Sequence, residues 1–266
     1  MMSYFMRRFP TQLMLIWLIL VLLVPLLDLA PNNINLDRVL GAPGETSWLG
    51  EDDLGRSVGD RLLSGAQVSL LVAFSVMFIT LIIGTTIGVV SAWLGGWFDQ
   101  LIMRVTDVFL AFPGILLAIA LAGLLGPGIG NVILALSVVG WVGFARLARG
   151  QVLLVKKRDH IIAARSLGTS NVRIIQWHLL PLIAAPLIIE ATFAIAGLII
   201  AEAGLSFLGL GVQAPSASWG SMIRDGARYL LVAPHLVIIP AVALFSVVMA
   251  VSLIGDQLRD RLDVKN

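Results

Sequence analysis

An all-α integral membrane protein of about six transmembrane helices is the fold class this sequence predicts, on three observations. Apolar residues make up 58% of the chain and charged residues only 13%, where soluble domains carry about a quarter charged. The apolar residues gather into runs long enough to cross a hydrocarbon core of about 30 Å. The basic residues sit unevenly between those runs, which gives the chain a direction across the bilayer. With no cysteine and a formal net charge of only +2, composition offers neither a disulfide or thiolate metal framework nor a nucleic-acid partner.

The first span is the run Leu13 to Leu27, behind Arg7 and Arg8. A signal peptide competes, but Leu27-Asp28-Leu29-Ala30 is a poor cleavage site, so an uncleaved span is expected, and Arg7-Arg8-Phe9 is discounted as a twin-arginine signal. Ala30 to Gln67 is expected as a polar loop. In its second half, Leu54, Val58, Leu62 and Leu63 fall at helical spacing, either as a helix along the membrane surface or as a solvated loop ending in one helical turn.

Val68 to Trp93 makes the second span, and its Gly84 and Gly88 form a small-x-x-x-small pair suited to close helix packing. After a turn at Leu94 to Gln100 the third span runs from Leu101 to Leu125, interrupted by Pro113 and Gly114, so it faces neighbours rather than lipid. Gly126 to Gly130 turns into the fourth span, Asn131 to Leu147, with Arg146 and Arg149 at its end. The apolar stretch from Pro181 to Leu210 is too long for one straight crossing, and with Pro186, Gly197 and Gly204 inside it a kinked or broken fifth span is expected. Gly211 to Ala233 is a second loop, Pro234 to Ile254 the sixth span, and a polar tail follows. Three units result: 1–67, an N-terminal span and loop; 68–256, the core; and 257–266, the tail.

Between the fourth and fifth spans lies Asp159 to Pro181, charged and patterned like two short helices. Ile162, Ala163, Ala164 and Leu167 share a face of the first, Gly168 stands at a left-handed cap, and Thr169 and Ser170 offer N-caps for the second. With both termini on the same side as this knob, thirteen of the eighteen Lys and Arg residues fall on that side, which positive-inside insertion makes cytoplasmic.

The pattern Ala163-Ala164, three residues, Gly168, then Leu180-Pro181 resembles the cytoplasmic loop of binding-protein-dependent ABC importer permeases. Ile162 stands where that family usually has glutamate, and Leu182 where asparagine is frequent. Further stretches resemble the dipeptide, oligopeptide and nickel branch: Asp52-Asp53-Leu54-Gly55-Arg56, the run from Gly95 to Pro113, and Glu202 to Gln213 with Ser218-Trp219-Gly220. The resemblance runs from about Trp48 to Asp263.

It implies an inner-membrane permease subunit of a bacterium, paired with a second, usually non-identical permease, two ATPases that bind ATP and Mg, and an external solute-binding protein received by the outer loops. It also implies that Ile162, Ala163, Ala164, Arg165, Ser166, Leu167, Gly168, Thr169 and Arg173 form the ATPase-coupling surface. Arg165 and Arg173 either pair with acids on the ATPase or meet lipid headgroups and solvent. Peptides are the first expectation for substrate and nickel or a metal chelate the second, since no His or Met cluster lines a span.

No phosphate-cradling Gly-x-x-x-x-Gly-Lys-Ser/Thr occurs, so ATP hydrolysis is expected in a partner and no cofactor in this chain. Gly209-x-Gly211-x-x-Ala214 follows a membrane helix rather than a strand and is rejected as a dinucleotide fingerprint. No catalytic grouping appears, and His160, His178 and His235 are too scattered for a metal site. Asp107, Glu190 and Glu202 remain as acids within or at the ends of spans. Glu190, near the middle of the fifth, is the candidate for the translocation pathway, against a structural hydrogen bond; Asp107 and Glu202 read as structural. A proton-coupled secondary transporter using all three is the rival, but it leaves the basic knob without a purpose.

Overall fold

The computed structural model describes residues 2–44 and 47–262, so Lys265 and the end of the tail lie outside the described residues. The helices, in chain order, are α1 Met2–Leu23, α2 Val58–Leu94, α3 Gly96–Leu110, α4 Gly114–Leu125, α5 Ile129–Val155, α6 Asp159–Ser166, α7 Asn171–Ile174, α8 Leu180–Phe207, α9 Trp219–Ala227 and α10 His235–Leu262. Extended pairing among the described residues is limited to one isolated bridge, Glu51 with Ser57. Five helices are long and apolar enough to cross a membrane, or six if the bent pair α3 and α4 counts as one crossing. The all-α membrane architecture read from the sequence is therefore the observed one.

α2 is the central post. Its 37 residues amount to about 55 Å at 1.5 Å per residue, well beyond the bilayer core. The loop expected to reach Gln67 instead ends at Ser57, whose hydroxyl accepts a hydrogen bond from the Asp60 amide as an N-cap. The segment with the ambiguous spacing is thus the first turns of the second span standing out of the membrane, because Val58, Gly65 and Ala66 are buried against the rest of the protein.

Gly84 and Gly88 let α2 approach α5. A methyl group on Gly84 would overlap the Trp141 carbonyl, and one on Gly88 would overlap the Ala145 carbonyl, so the small-residue pair acts as its spacing predicts. Lower on the same side, Lys156 Nζ donates to the Ala92 carbonyl at 2.8 Å, filling an acceptor at the end of α2.

The third span is not one helix, and its first half is not covered by neighbours within the chain as expected, since Thr106 is the one buried residue of α3. α3 and α4 meet at 84° across Pro113, whose ring cannot continue the backbone ladder. α4, with 12 residues, is too short to cross alone. The fourth span is longer than expected: α5 runs on to Val155, which carries Arg146 and Arg149 inside a helix rather than past its end.

α8 is continuous through Pro186, Gly197 and Gly204, so of the kink or break expected there the break is absent. The ladder departs from α geometry just before it. Ile175–Leu179 forms one π-helical turn, with the Leu180 amide donating to the Ile175 carbonyl. Pro181 next to it lacks an N–H, so the regular ladder has no donor at that position.

The loop expected from Gly211 to Ala233 contains a packed helix, α9, closed by a capping box between Ser218 and Ser221. Trp219 on it is fully buried, meets Trp17 of α1 edge-on at 5.3 Å, and donates from Nε1 to the Leu62 carbonyl. α1 is held to α10 by Trp17 Nε1 donating to Ser246 Oγ at 2.9 Å. α9 and the first loop together cap one end of the bundle, and α6 with α7 forms the knob at the other.

Candidate coupling surface and the opposite cap

The knob begins at α6, where Ile161 and Ala164 turn inward and Ile162, Ala163, Arg165, Ser166, Leu167 and Gly168 are exposed. Ala164 therefore does not share the outer face with Ile162, Ala163 and Leu167 as its spacing had indicated. Three positions from Ile161, it joins that residue in the core.

The turn is a complete Schellman motif. Gly168 has φ of +79°, its amide donates to the Arg165 carbonyl at 3.0 Å, and the Thr169 amide donates to the Ala164 carbonyl at 3.1 Å. Ser170 takes the N-cap position of α7 with extended backbone, without a side-chain cap bond. The second helix is short and leads through the π turn directly into α8, so the knob's far limb is the extension of the fifth span rather than a separate helix ending at Pro181.

What anchors the knob is apolar. Ile161, Ala164, Ile174 and Leu179 join Val152 and Val155 of α5, Val89 and Ala92 of α2, and Ile183 and Leu187 of α8 in one buried cluster. Outward, Leu167 is 86% exposed and Val172 64%, a surface whose apolar groups have no intramolecular cover. Arg165 lies over the Trp93 ring, 4.9 Å from its centroid, and Arg173 is exposed. Beside this joint a cavity of about 540 Å³ separates α2, at Thr85, Thr86 and Val89, from Gln176, Leu180 and Leu187 on the α8 limb.

The three acids of the spans are treated differently by the fold. Glu190 is exposed on α8, not buried as its place in an apolar run had indicated. Asp107 is half exposed and pairs with Arg146 at 3.3 Å and Arg104 at 3.7 Å. Glu202 alone is buried, at 1% exposure. It accepts from Ser69 Oγ of α2 at 2.9 Å and from Ser206 Oγ at 2.7 Å. The Trp219 amide in turn donates to Ser69 Oγ at 3.4 Å, and the Val212 amide to Ser206 Oγ at 3.2 Å. This network ties α2, α8 and α9 together and gives Glu202 the structural role read for it.

A second polar lock was not visible in the sequence. Asp52 accepts from Arg56 Nε at 2.7 Å and pairs with Arg61 Nε at 3.3 Å. Arg61, 4% exposed, also donates to the carbonyls of Pro31 and Pro215 at 3.3 and 3.4 Å, joining both loops of the cap to α2. Burial and the neighbouring Asp52 raise the Asp53 carboxyl above the usual carboxylate range, against the pull of Arg56. Also unforeseen was the bidentate pair of Arg149 with Asp99, 2.7 Å on each arm, to which Ser91 adds a 2.6 Å bond. The only cue was an acid in the first turn of α3 and an arginine in the last third of α5, too far apart to be matched by spacing.

Five helices long enough to cross a membrane, or six with the bent pair counted as one, and a paired-helix knob rooted in a buried apolar cluster define a helical multi-pass membrane protein. Residues 84–265 match the family described as "Binding-protein-dependent transport system inner membrane component", and the chain belongs to it. It is 43% identical over 236 residues to the glutathione transport system permease protein GsiD of Escherichia coli O6:K15:H31, an alignment covering 89% of this chain and 78% of that protein. The corresponding protein of Pectobacterium atrosepticum is 41% identical over the same length. Among solved structures, an inward-facing form of the MetNI methionine ABC transporter superposes with a TM-score of 0.63 at 19% identity, covering 76% of this chain and 96% of that one, and so shares the fold. The protein is thus a multi-pass inner-membrane permease component of a binding-protein-dependent ABC transport system.

Proposed function

We propose that this permease imports small peptides delivered by an external solute-binding protein, driven by ATP that separate ATPase subunits bind with Mg and hydrolyse. Ile162, Ala163, Arg165, Ser166, Leu167, Gly168, Thr169 and Arg173 form the contact with the ATPase, and Ala164 supports it from beneath. The observation that carries this reading is the knob itself: an uncovered Leu167 on a Schellman-capped turn whose base, Ile161 and Ile174, is buried among α2, α5 and α8. Such a lever passes a push on its tip into three spans at once. The cavity between α2 and the α8 limb leaves room for that displacement. A ligand shifts a conformational equilibrium only by its differential affinity, so the ATP-bound pair must hold the knob better in one membrane state than in the other.

Glutathione, the substrate in the name of the 43% identical relative, is itself a small peptide, which favours peptides over metal chelates here. Two permeases, this chain and a non-identical homologue, assemble with two ATPases; both termini are cytoplasmic, in keeping with the placement of the basic residues. The solute-binding protein docks on the cap formed by the first loop and α9. Glu190, exposed on α8, faces the pathway between the two permeases.

The test is ATP-driven uptake of labelled glutathione by proteoliposomes holding the full complex. Leu167→Asp leaves the complex assembled and hydrolysing ATP, with uptake reduced at least about tenfold. Normal uptake in that variant, or uptake by this chain alone on a proton gradient, overturns the reading. Glu190→Gln alters uptake if Glu190 faces the pathway; unchanged uptake removes it.

A further inference from the structure

The arginines between α3 and α5 are not all occupied by the carboxylates near them. Asp99 is taken by Arg149 and Ser91. Arg104 and Arg146 are left with Asp107 alone, at 3.7 and 3.3 Å, so two guanidinium groups share one half-exposed carboxylate. They line, with Gln100, Met103, Asp107 and Arg149, a polar cavity of about 340 Å³. Its lining carries three arginines against Asp107, and among the described residues Arg104 and Arg146 each have Asp107 as their one charged partner, which leaves most of their N–H donors unused.

Depth gives this cavity a meaning. Counting from Ile129 at 1.5 Å per residue, Arg146 and Arg149 stand about 25 and 30 Å along α5, at the knob-side edge of a hydrocarbon core of about 30 Å. Trp97 and Trp177, 73% and 74% exposed, flank the same end of the bundle, where amphipathic rings settle at headgroup level. On α3 itself the faces are sorted. Gln100, Arg104 and Asp107 share one side of the helix, and Trp97, Leu101 and Val108 form an exposed apolar stripe beside it. A polar anion site and an apolar bed for a chain thus lie side by side on one helix.

We propose that Arg104 and Arg146 bind the phosphate of an anionic phospholipid in the knob-side leaflet, its acyl chains lying on the Leu101 and Val108 stripe. Gln100 supplies a further donor to the headgroup, and Asp107 limits affinity by competing for the same guanidinium groups. Bound there, the lipid joins α3 to α5 across the arm that precedes the knob. The site does not depend on which solute is transported.

The experiment uses the full complex exchanged into bilayers of equal parts phosphatidylglycerol and phosphatidylcholine, then stripped stepwise with mild detergent while retained lipid is counted by native mass spectrometry. The wild type is expected to retain phosphatidylglycerol over phosphatidylcholine by roughly tenfold. Arg104→Gln with Arg146→Gln abolishes that preference, whereas Lys157→Gln with Arg158→Gln, exposed cations of the same leaflet outside the cavity, keeps it. Asp107→Asn, which leaves both arginines and frees their forks, raises retention and guards against a double variant that misfolds. Equal retention of the two lipids by the wild type, or equal losses in the two double variants, overturns the proposal. So does unchanged lipid preference with a raised KM for glutathione in the Arg104 and Arg146 variant, which assigns the arginines to a substrate carboxylate.

Discussion

At the knob, Ile161, Ala164, Ile174 and Leu179 reach the core through methyl and methylene contacts alone, whereas at the cap the buried groups include Glu202, Ser69, Ser206, Arg56 and Arg61. The difference is one of direction. Apolar contacts carry no directional bonds that fix one geometry, and the knob has an open cavity beside it. Hydrogen bonds and ion pairs are satisfied in one geometry and costly in others, so the cap holds its shape. The coupling proposed for the knob calls for stiffness within it, which the Schellman turn supplies, together with freedom at its root. The docking of a solute-binding protein proposed for the cap calls for a fixed outline.

The sharpest way to break this contrast is to damage the post that both ends share. Gly88→Leu forces α2 off α5 at the Ala145 carbonyl, and overpacking of this kind costs about 3 kcal/mol. The detergent-solubilised protein is expected to lose the largest part of its thermal stability, with both ends affected together.

Second in size is the cap. Glu202→Leu strands the hydroxyls of Ser69 and Ser206 and costs about 2 kcal/mol. Glu202→Gln keeps an acceptor and costs less than half of that. If the two variants melt alike, the network does not hold the cap.

Smaller still in stability is Gly168→Leu, where φ of +79° penalises any side chain by about 1 kcal/mol. Here the order of effects inverts: this variant, milder than Glu202→Leu in melting, is expected to lose more uptake. Equal losses would erase the distinction between a joint and a scaffold.

The smallest effect is a pH dependence confined to the cap. Asp53 has its carboxyl raised in the folded protein, first by burial, so the folded state binds its proton more tightly than the unfolded chain. Stability contributed by that proton is present below the ordinary Asp range and is lost as pH rises through the folded value. The wild-type cap is expected to weaken slightly across that window in thermal melts, and Asp53→Asn to remove the slope.

Much of this was legible in the residues. Runs such as Val68 to Trp93 give their spans directly, because outside closed β-barrels only a helix satisfies its backbone within lipid, and a helix there must be long and apolar. Gly168 reads as a left-handed cap because little else fits there, and Gly84 with Gly88 reads as a contact because only small pairs let helices approach so closely. Hydropathy failed where an element was held by neighbours rather than by lipid. The first turns of α2 and the whole of α9 look like polar loop, yet Gly65, Ala66 and Trp219 are buried by packing with other elements.

The sequence by itself determined that the chain crosses a bilayer about six times and carries a capped two-helix knob among its basic residues, since transfer free energy and turn sterics are properties of short segments. Only the tertiary structure decided that Ala164 faces in while Ala163 faces out, that Glu202 is buried and Glu190 is not, and that Arg149 takes Asp99 and leaves Arg104 and Arg146 to share Asp107. Those outcomes depend on which faces of distant helices meet, and a period of 3.6 residues says which residues share a face without saying what that face will touch.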